Sequence, residues 1–181
     1  MNATTRPPPQ VTTGHRTLAL VVGLLMLPFI LGAGLYISGW QPTHPGNHGE
    51  LLQPPLPVGP ALPTAATGKW LLILAPDGPC DAACTNCLDA MRRIQVSLNK
   101  EMGRLRRLVV TPDPADPALA AAQNAQPDLL LTCHSAPWPD GGPALYVADP
   151  EGNLILRYGP TAAAKDIRTD LDRLLKFAWA G

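Results

Sequence analysis

Residues Thr17 to Gly39 form an apolar stretch that contains no charged side chain. The stretch exceeds the roughly 18 residues that identify a membrane-spanning helix. Tyr36 and Trp40 stand where the aromatic side chains of a membrane interface are expected, and a spanning helix tolerates Pro28 as a kink. The sequence therefore predicts one transmembrane helix over residues 17–39.

Basic residues indicate the orientation of this helix. Arg6 and Arg16 precede the span, whereas the next Lys or Arg after it is Lys69. Because positive side chains favour the cytoplasmic side, residues 1–16 are expected to be a cytoplasmic tail. The single-pass helix would lie in a bacterial inner membrane, with the rest of the chain in the periplasm. A cleaved signal peptide is the alternative, since Gly32-Ala33-Gly34 resembles a cleavage region.

Composition divides the part after the span into two regions. Residues 40–66 are rich in Pro and Gly and lack periodicity, which predicts a flexible tether. The remaining residues, 67–181, suffice for one domain of ordinary size. The chain has 14 Lys and Arg against 14 Asp and Glu, a balance that gives no support for a nucleic-acid partner.

The pattern of apolar residues predicts the order of elements in this domain. Trp70–Ala75 is a continuous apolar run, typical of a strand that is covered on both faces. From Asp81 to about Glu101, apolar residues recur every three or four positions, which indicates an amphipathic helix. Further strands are predicted at 105–110, 129–132, 144–148 and 153–158, and helices at 117–124 and near the C-terminus. This order indicates an α/β domain with a mixed sheet and flanking helices, as in thioredoxin-like folds.

Cys80 and Cys84 stand at the junction of the first of these strands and its helix. The positive end of a helix dipole favours the thiolate form of a cysteine at this place. A disulfide between the two requires that Cys80 lies in the turn before the helix. A reactive or metal-binding pair and an inert structural disulfide are both open interpretations.

Several motifs together resemble the Sco/SenC family. They are Gly68-Lys69 before the strand, the Cys80-x-x-x-Cys84 spacing, Tyr146-Val147-Ala148-Asp149-Pro150-Glu151-Gly152, and Tyr158-Gly159 before a closing helix. The resemblance implies a membrane-anchored, thioredoxin-like protein that helps to assemble the copper centre of a respiratory cytochrome c oxidase. It also implies copper ligation by the two cysteines. An oxidase subunit or another copper or thiol assembly protein would be the partner.

The chain departs from the family at the third copper ligand. The family's histidine lies five residues before the hairpin tyrosine, where this chain has Asp140-Gly141. It therefore resembles a divergent member that lacks the copper-ligand histidine. Two thiolates can still hold Cu(I), and His134, beside Cys133, is the substitute ligand that we consider. Cys87 either packs in the core or provides an additional ligand.

Pro143 favours thiol chemistry. Gly142-Pro143 precedes a predicted strand and resembles the cis-proline that faces the cysteine pair in thioredoxin-type oxidoreductases. We therefore expect a cis Pro143 in a catalytic site with Cys80 and Cys84. Cys80 would be the exposed attacking thiol, and Cys84 the more buried resolving thiol. The candidate functions are a thiol-disulfide reductase, a Cu(I) handler and a non-catalytic assembly scaffold.

Overall fold

A computed structural model of the chain describes residues 12–38, 46–59, 62–133 and 143–177. The chain divides into two compact units, with the boundary between Pro45 and Gly46. In the first unit, helix α1 runs over Thr12–Ile37. Its part Gly14–Ile37 is long and apolar enough to cross a membrane, as predicted for this region.

The second unit is built around a six-stranded mixed sheet. Its elements are β1 (Glu50–Pro57), β2 (Trp70–Ala75), α2 (Ala82–Ser97), β3 (Leu105–Thr111), α3 (Pro117–Ala125), β4 (Leu129–Cys133), β5 (Ala144–Ala148), β6 (Asn153–Tyr158) and α4 (Ala164–Phe177), with 3-10 helices at Thr64–Ala66 and Asn99–Arg104. The strand order is β1-β6-β5-β2-β3-β4. β2 and β4 are parallel to β3, whereas the other neighbours are antiparallel. The predicted mixed sheet with flanking helices is thus confirmed.

Strand β2 lies at the centre of the core. All six of its residues are buried, and alternate side chains point to opposite faces of the sheet. One face packs with residues of α2, α3 and α4. The other face packs with Val58 and Ala66, which precede β2 in the chain. Burial on both faces, at about 1.5–3 kcal/mol for each large apolar side chain, explains the continuous apolar run.

The prediction of a flexible tether through residue 66 differs from the structure. Glu50–Pro57 is an edge strand, β1, that pairs antiparallel with β6. It contains Pro54 and Pro55. Proline cannot donate a ladder hydrogen bond, and an edge strand tolerates this because one of its sides has no partner strand. Prolines that appear typical of a tether therefore belong to the sheet. The second unit begins at Gly46 rather than at residue 67.

A buried carboxylate attaches the segment before β1 to helix α4. Oδ2 of Asp170 accepts hydrogen bonds from the backbone N–H groups of His48 (2.8 Å) and Gly49 (2.9 Å) and from the hydroxyl of Tyr158 (2.9 Å). Nδ1 of His48 lies 3.1 Å from Oδ1. Burial acts to raise the pKa of Asp170, but these bonds outweigh it and lower the pKa. We call His48, Gly49, Tyr158 and Asp170 the β1 clamp.

A second buried charge fixes α2 and α3 against the sheet. The Arg107 side chain on β3 is 1% exposed. It donates hydrogen bonds to Gln95 of α2, to Gln126 at the end of α3, and to Asp128. Because a buried guanidinium requires partners for its charge, the positions of these residues are tightly coupled. The network thus holds the two helices whose first turns form the candidate site.

Candidate thiol-disulfide site

Cys80 and Cys84 form a disulfide at the start of α2. The two sulfurs are 1.98 Å apart and the Cα atoms 5.2 Å apart, within the range that a disulfide requires. Asp81 is the N-cap of α2, so Cys80 lies in the turn before the helix and Cys84 in its first turn. The predicted proximity of the two cysteines is therefore confirmed.

The expected difference in exposure between the two cysteines is absent. Cys80 and Cys84 are each 8% exposed, and both belong to the main core cluster. The prediction of an exposed Cys80 and a more buried Cys84 is wrong for the disulfide form. The physical reason is that the turn before α2 folds Cys80 back against the core rather than leaving it at the helix tip.

Each cysteine donates its backbone N–H to a carboxylate. The N–H of Cys84 donates to Asp81 at 2.9 Å, and that of Cys80 donates to Oδ2 of Asp116 at 2.7 Å. Oδ1 of Asp116 also caps α3 by accepting from the N–H of Ala118 at 2.8 Å. The bond from Cys80 is the main cause that lowers the pKa of Asp116. The carboxylates of Asp81 and Asp116 therefore already occupy the N-termini of α2 and α3.

Asp116 is a site residue that sequence reasoning missed. The pair Asp116-Pro117 is a recognisable helix start, because aspartate is a preferred N-cap and proline is favoured at the first helical position. That signal indicates the beginning of α3. It does not indicate that the same carboxylate reaches Cys80, 36 residues earlier in the chain. Only the parallel pairing of β2 with β3 brings the two loops together.

A cavity of about 520 Å³ borders the disulfide. Its wall includes Cys84, Cys87 and Pro143, together with apolar side chains such as Leu74 and Ile167. The structure thus places Pro143 in the same cavity as Cys84. The peptide bond between residues 142 and 143 lies outside the described residues, so the expected cis geometry stays a prediction.

The other two cysteines differ in their surroundings. Cys87 is half-buried in the cavity wall, and burial raises the pKa of its thiol to about 11. At neutral pH it is therefore protonated, which does not favour a metal ligand or nucleophile. Cys133 is exposed, and its sulfur lies 3.7 Å from the carbonyl oxygen of Pro112. His134 lies outside the described residues.

The resemblance implies a copper site, but the described residues provide an incomplete set of copper ligands. Cys80 and Cys84 are bonded to each other, so neither offers a thiolate in this state. Within the described ranges, no group of three or more His, Cys, Asp or Glu side chains is placed to hold a metal ion. The residues that the structure describes therefore do not fit a resident copper ion in this state.

The fold and the sequence agree with a known family. Residues 70–178 match the family of transmembrane-like, thioredoxin-like C-terminal domains. The chain belongs to this family. The match covers the sheet from β2 onward and the turn and helix α2 that carry the disulfide, and it confirms the thioredoxin-like fold. No curated protein matches the chain.

Solved structures of Sco proteins are similar in fold to this thioredoxin-like family member. Yeast Sco1 has a TM-score of 0.51 and 21% identity, covering 62% of this chain and 83% of Sco1. Arabidopsis thaliana ScoI with copper bound has a TM-score of 0.49 and 14% identity, covering 62% and 88%. BsSco, a Sco-family oxidase assembly protein with a disulfide switch, has a TM-score of 0.47 and 16% identity, covering 77% and 100%. The resemblance to Sco proteins is confirmed at the level of the fold.

Proposed function

We propose that this protein exchanges disulfides with cysteines of a partner during assembly of the copper centre of a respiratory cytochrome oxidase. The observation that carries the proposal is the Cys80–Cys84 disulfide beside an open cavity of about 520 Å³. A purely structural disulfide does not need such a cavity, whereas exchange requires space for a second polypeptide at a sulfur. The reduced pair would keep the partner's cysteines as thiols until copper arrives.

The proposed setting is a membrane surface. Helix α1 would anchor the chain in a bacterial inner membrane, with the N-terminus in the cytoplasm and the thioredoxin-like domain in the periplasm. Exposed dithiols form disulfides in an oxidizing compartment. A dedicated reductant would therefore be needed there to keep the cysteines of the oxidase subunit reduced. The partner is that subunit or another copper or thiol assembly protein.

Two alternatives use the same fold. In one, the reduced Cys80 and Cys84 hold Cu(I) as cargo and transfer it by ligand exchange. In the other, the disulfide is inert and the domain is an assembly scaffold, an interpretation that the burial of both cysteines favours. The three functions differ in what the purified protein does with a disulfide and with Cu(I).

The test compares the full-length protein in detergent micelles with its Cys80→Ser/Cys84→Ser double variant. Both are reduced, freed of reductant and mixed with a synthetic peptide disulfide, and released peptide thiol is measured. Both proteins also carry Cys133→Ser, because the exposed Cys133 thiol would itself release peptide thiol. We expect one peptide disulfide reduced per intact pair and none for the variant that lacks the pair. An unreduced peptide combined with stoichiometric Cu(I) uptake would favour the cargo function. An unreduced peptide without Cu(I) uptake would favour the scaffold.

A further inference from the structure

We infer that the partner's cysteine bonds to Cys84, and that Cys80 is the thiol that later releases the partner. This inference rests on the proposed exchange function and reverses the order of the two cysteines that the sequence suggests. A second polypeptide can reach only a sulfur that is accessible from open space.

The cavity distinguishes the two cysteines although their burial does not. Both are 8% exposed. Cys84 lines the cavity together with Ala83 and Cys87 of the same helix, whereas Cys80 is absent from its described wall. Cys84 therefore borders a space that is large enough for a side chain of another protein.

Cys80 is held by its backbone. Its N–H donates at 2.7 Å to Asp116, a 7% exposed carboxylate that also caps α3. This contact fixes the Cys80 backbone to the start of a helix. When the disulfide opens, Cys80 stays close to Cys84, since the 5.2 Å between their Cα atoms is set by the backbone. A thiol fixed within bonding distance is suited to a resolving role.

The proposed steps conserve atoms and electrons. The thiolate of Cys84 attacks one sulfur of the partner's disulfide, a mixed disulfide forms, and the partner's second sulfur leaves as a thiolate. Cys80 then loses its proton and attacks the sulfur of Cys84, and the partner's first sulfur leaves and takes up a proton. Two electrons pass to the partner and the Cys80–Cys84 disulfide forms again. In the reverse direction the same mixed disulfide on Cys84 occurs.

The wall of the cavity indicates the chemistry of the partner segment. Most of its described residues are apolar, and its charged members are two carboxylates, Asp77 and Asp81, with no Lys or Arg among the described wall residues. Charge complementarity favours partners of the opposite sign. The occupant is therefore a partner segment whose cysteine is flanked by an apolar and a basic side chain.

The experiment determines which cysteine forms the adduct. All variants of the full-length protein in micelles carry Cys87→Ala and Cys133→Ala. Adding either Cys80→Ser or Cys84→Ser then leaves a single cysteine of the pair. The probe is a synthetic peptide with a leucine and a lysine beside a cysteine activated as its thionitrobenzoate disulfide. Mass spectrometry follows the adduct over time. We expect the Cys80→Ser variant to form it at least about tenfold faster than the Cys84→Ser variant.

The outcomes separate this inference from the proposed function. A ratio below tenfold, or faster adduct formation by the Cys84→Ser variant, overturns the assignment to Cys84 while exchange itself stands. If neither variant forms an adduct and the intact pair does not reduce the peptide, the proposed function fails with it. Because serine variants can misfold, a brief iodoacetamide pulse on the reduced chain with the pair intact provides a second measurement. Cys84 should be alkylated before Cys80, and the opposite order contradicts the inference.

The charge preference has its own test. A peptide with glutamate in place of lysine should react more slowly with the Cys80→Ser variant, and added salt should reduce the difference. Adding Asp77→Asn, an exposed position in the cavity wall, should bring the two rates closer. Equal rates for the two peptides at low salt would overturn the proposed basic partner segment.

Discussion

Two carboxylates of this domain accept hydrogen bonds from backbone N–H groups that are distant in sequence, and the two differ in exposure. Asp116 joins the loop of Cys80 to the start of α3, across 36 residues. Asp170 joins Gly49 to α4, across 121 residues. Asp170 is 2% exposed and Asp116 is 7% exposed. Both loops gain a fixed position from one acceptor group that can receive several N–H donors.

Asp170 and Asp116 differ in the groups that they bind. The β1 clamp surrounds Asp170 with His48, Gly49 and Tyr158 and fixes the start of an edge strand. Asp116 divides its two oxygens between a helix cap and a cysteine that would change its bonding in the proposed exchange. We therefore expect the β1 clamp to determine the stability of the fold and Asp116 to determine the behaviour of the disulfide.

Replacing Asp170 should have the largest effect on stability. The Asp170→Ala change leaves the N–H groups of His48 and Gly49 and the hydroxyl of Tyr158 without their acceptor. A loss of about 3 kcal/mol in the free energy of unfolding is expected from buried donors left unpaired. Urea unfolding of the full-length protein in micelles, followed by tryptophan fluorescence, measures it.

Asp172→Ala is the matched control on the same helix. Asp172 is partly exposed and lies 3.8 Å from Arg168 in a surface ion pair, so its removal should cost less than about 1 kcal/mol. Equal losses for the two variants would contradict the role assigned to the β1 clamp.

Acid should weaken the β1 clamp, and this effect is smaller than its removal. Because the pKa of Asp170 is lower in the folded protein than in the unfolded chain, its contribution to stability is present above the unfolded value of about 3.9 and is lost as the pH falls through the folded value. The Asp170→Asn variant cannot titrate at this position. Its free energy of unfolding should therefore fall less steeply below roughly pH 4 than that of the wild type. Parallel pH profiles would exclude Asp170 as a source of the acid dependence.

Local patterns in the sequence predict most of the sheet. The bounds of β2, β5 and β6 agree with prediction, because a continuous apolar run and a turn of Asp149-Pro150-Glu151-Gly152 each encode their structure locally. β1 was missed because its prolines and exposed side chains conceal its pairing with β6. Both β6 and Asp170, which holds the segment before β1, lie about a hundred residues later, and no local pattern reports these contacts.

The candidate site also combines features that local sequence predicts with features that depend on long-range contacts. The spacing of Cys80 and Cys84 at a helix start predicts that they are close neighbours, since only the turn geometry is involved. Which cysteine faces open space depends on how α2 packs beside Pro143 and the loop before α4. The contact of Asp116 with Cys80 depends on the order of strands in the sheet. Such long-range contacts set the properties of the pair, and they need the tertiary structure.

Asp116→Asn should affect stability less than Asp170→Ala does, but it should have a clear effect on the disulfide. An asparagine offers one oxygen where the carboxylate offers two, so its amide must face either the N–H of Cys80 or the N–H groups of Ala118 and Leu119. Losing one bond of this kind should speed reduction of the disulfide by dithiothreitol about fivefold. Asp113→Asn is the matched control, because this exposed residue of the same loop accepts from Ala115 with a single oxygen that asparagine retains. If both variants are reduced at the wild-type rate, Asp116 only caps α3, and the position of Cys80 is fixed by the core alone.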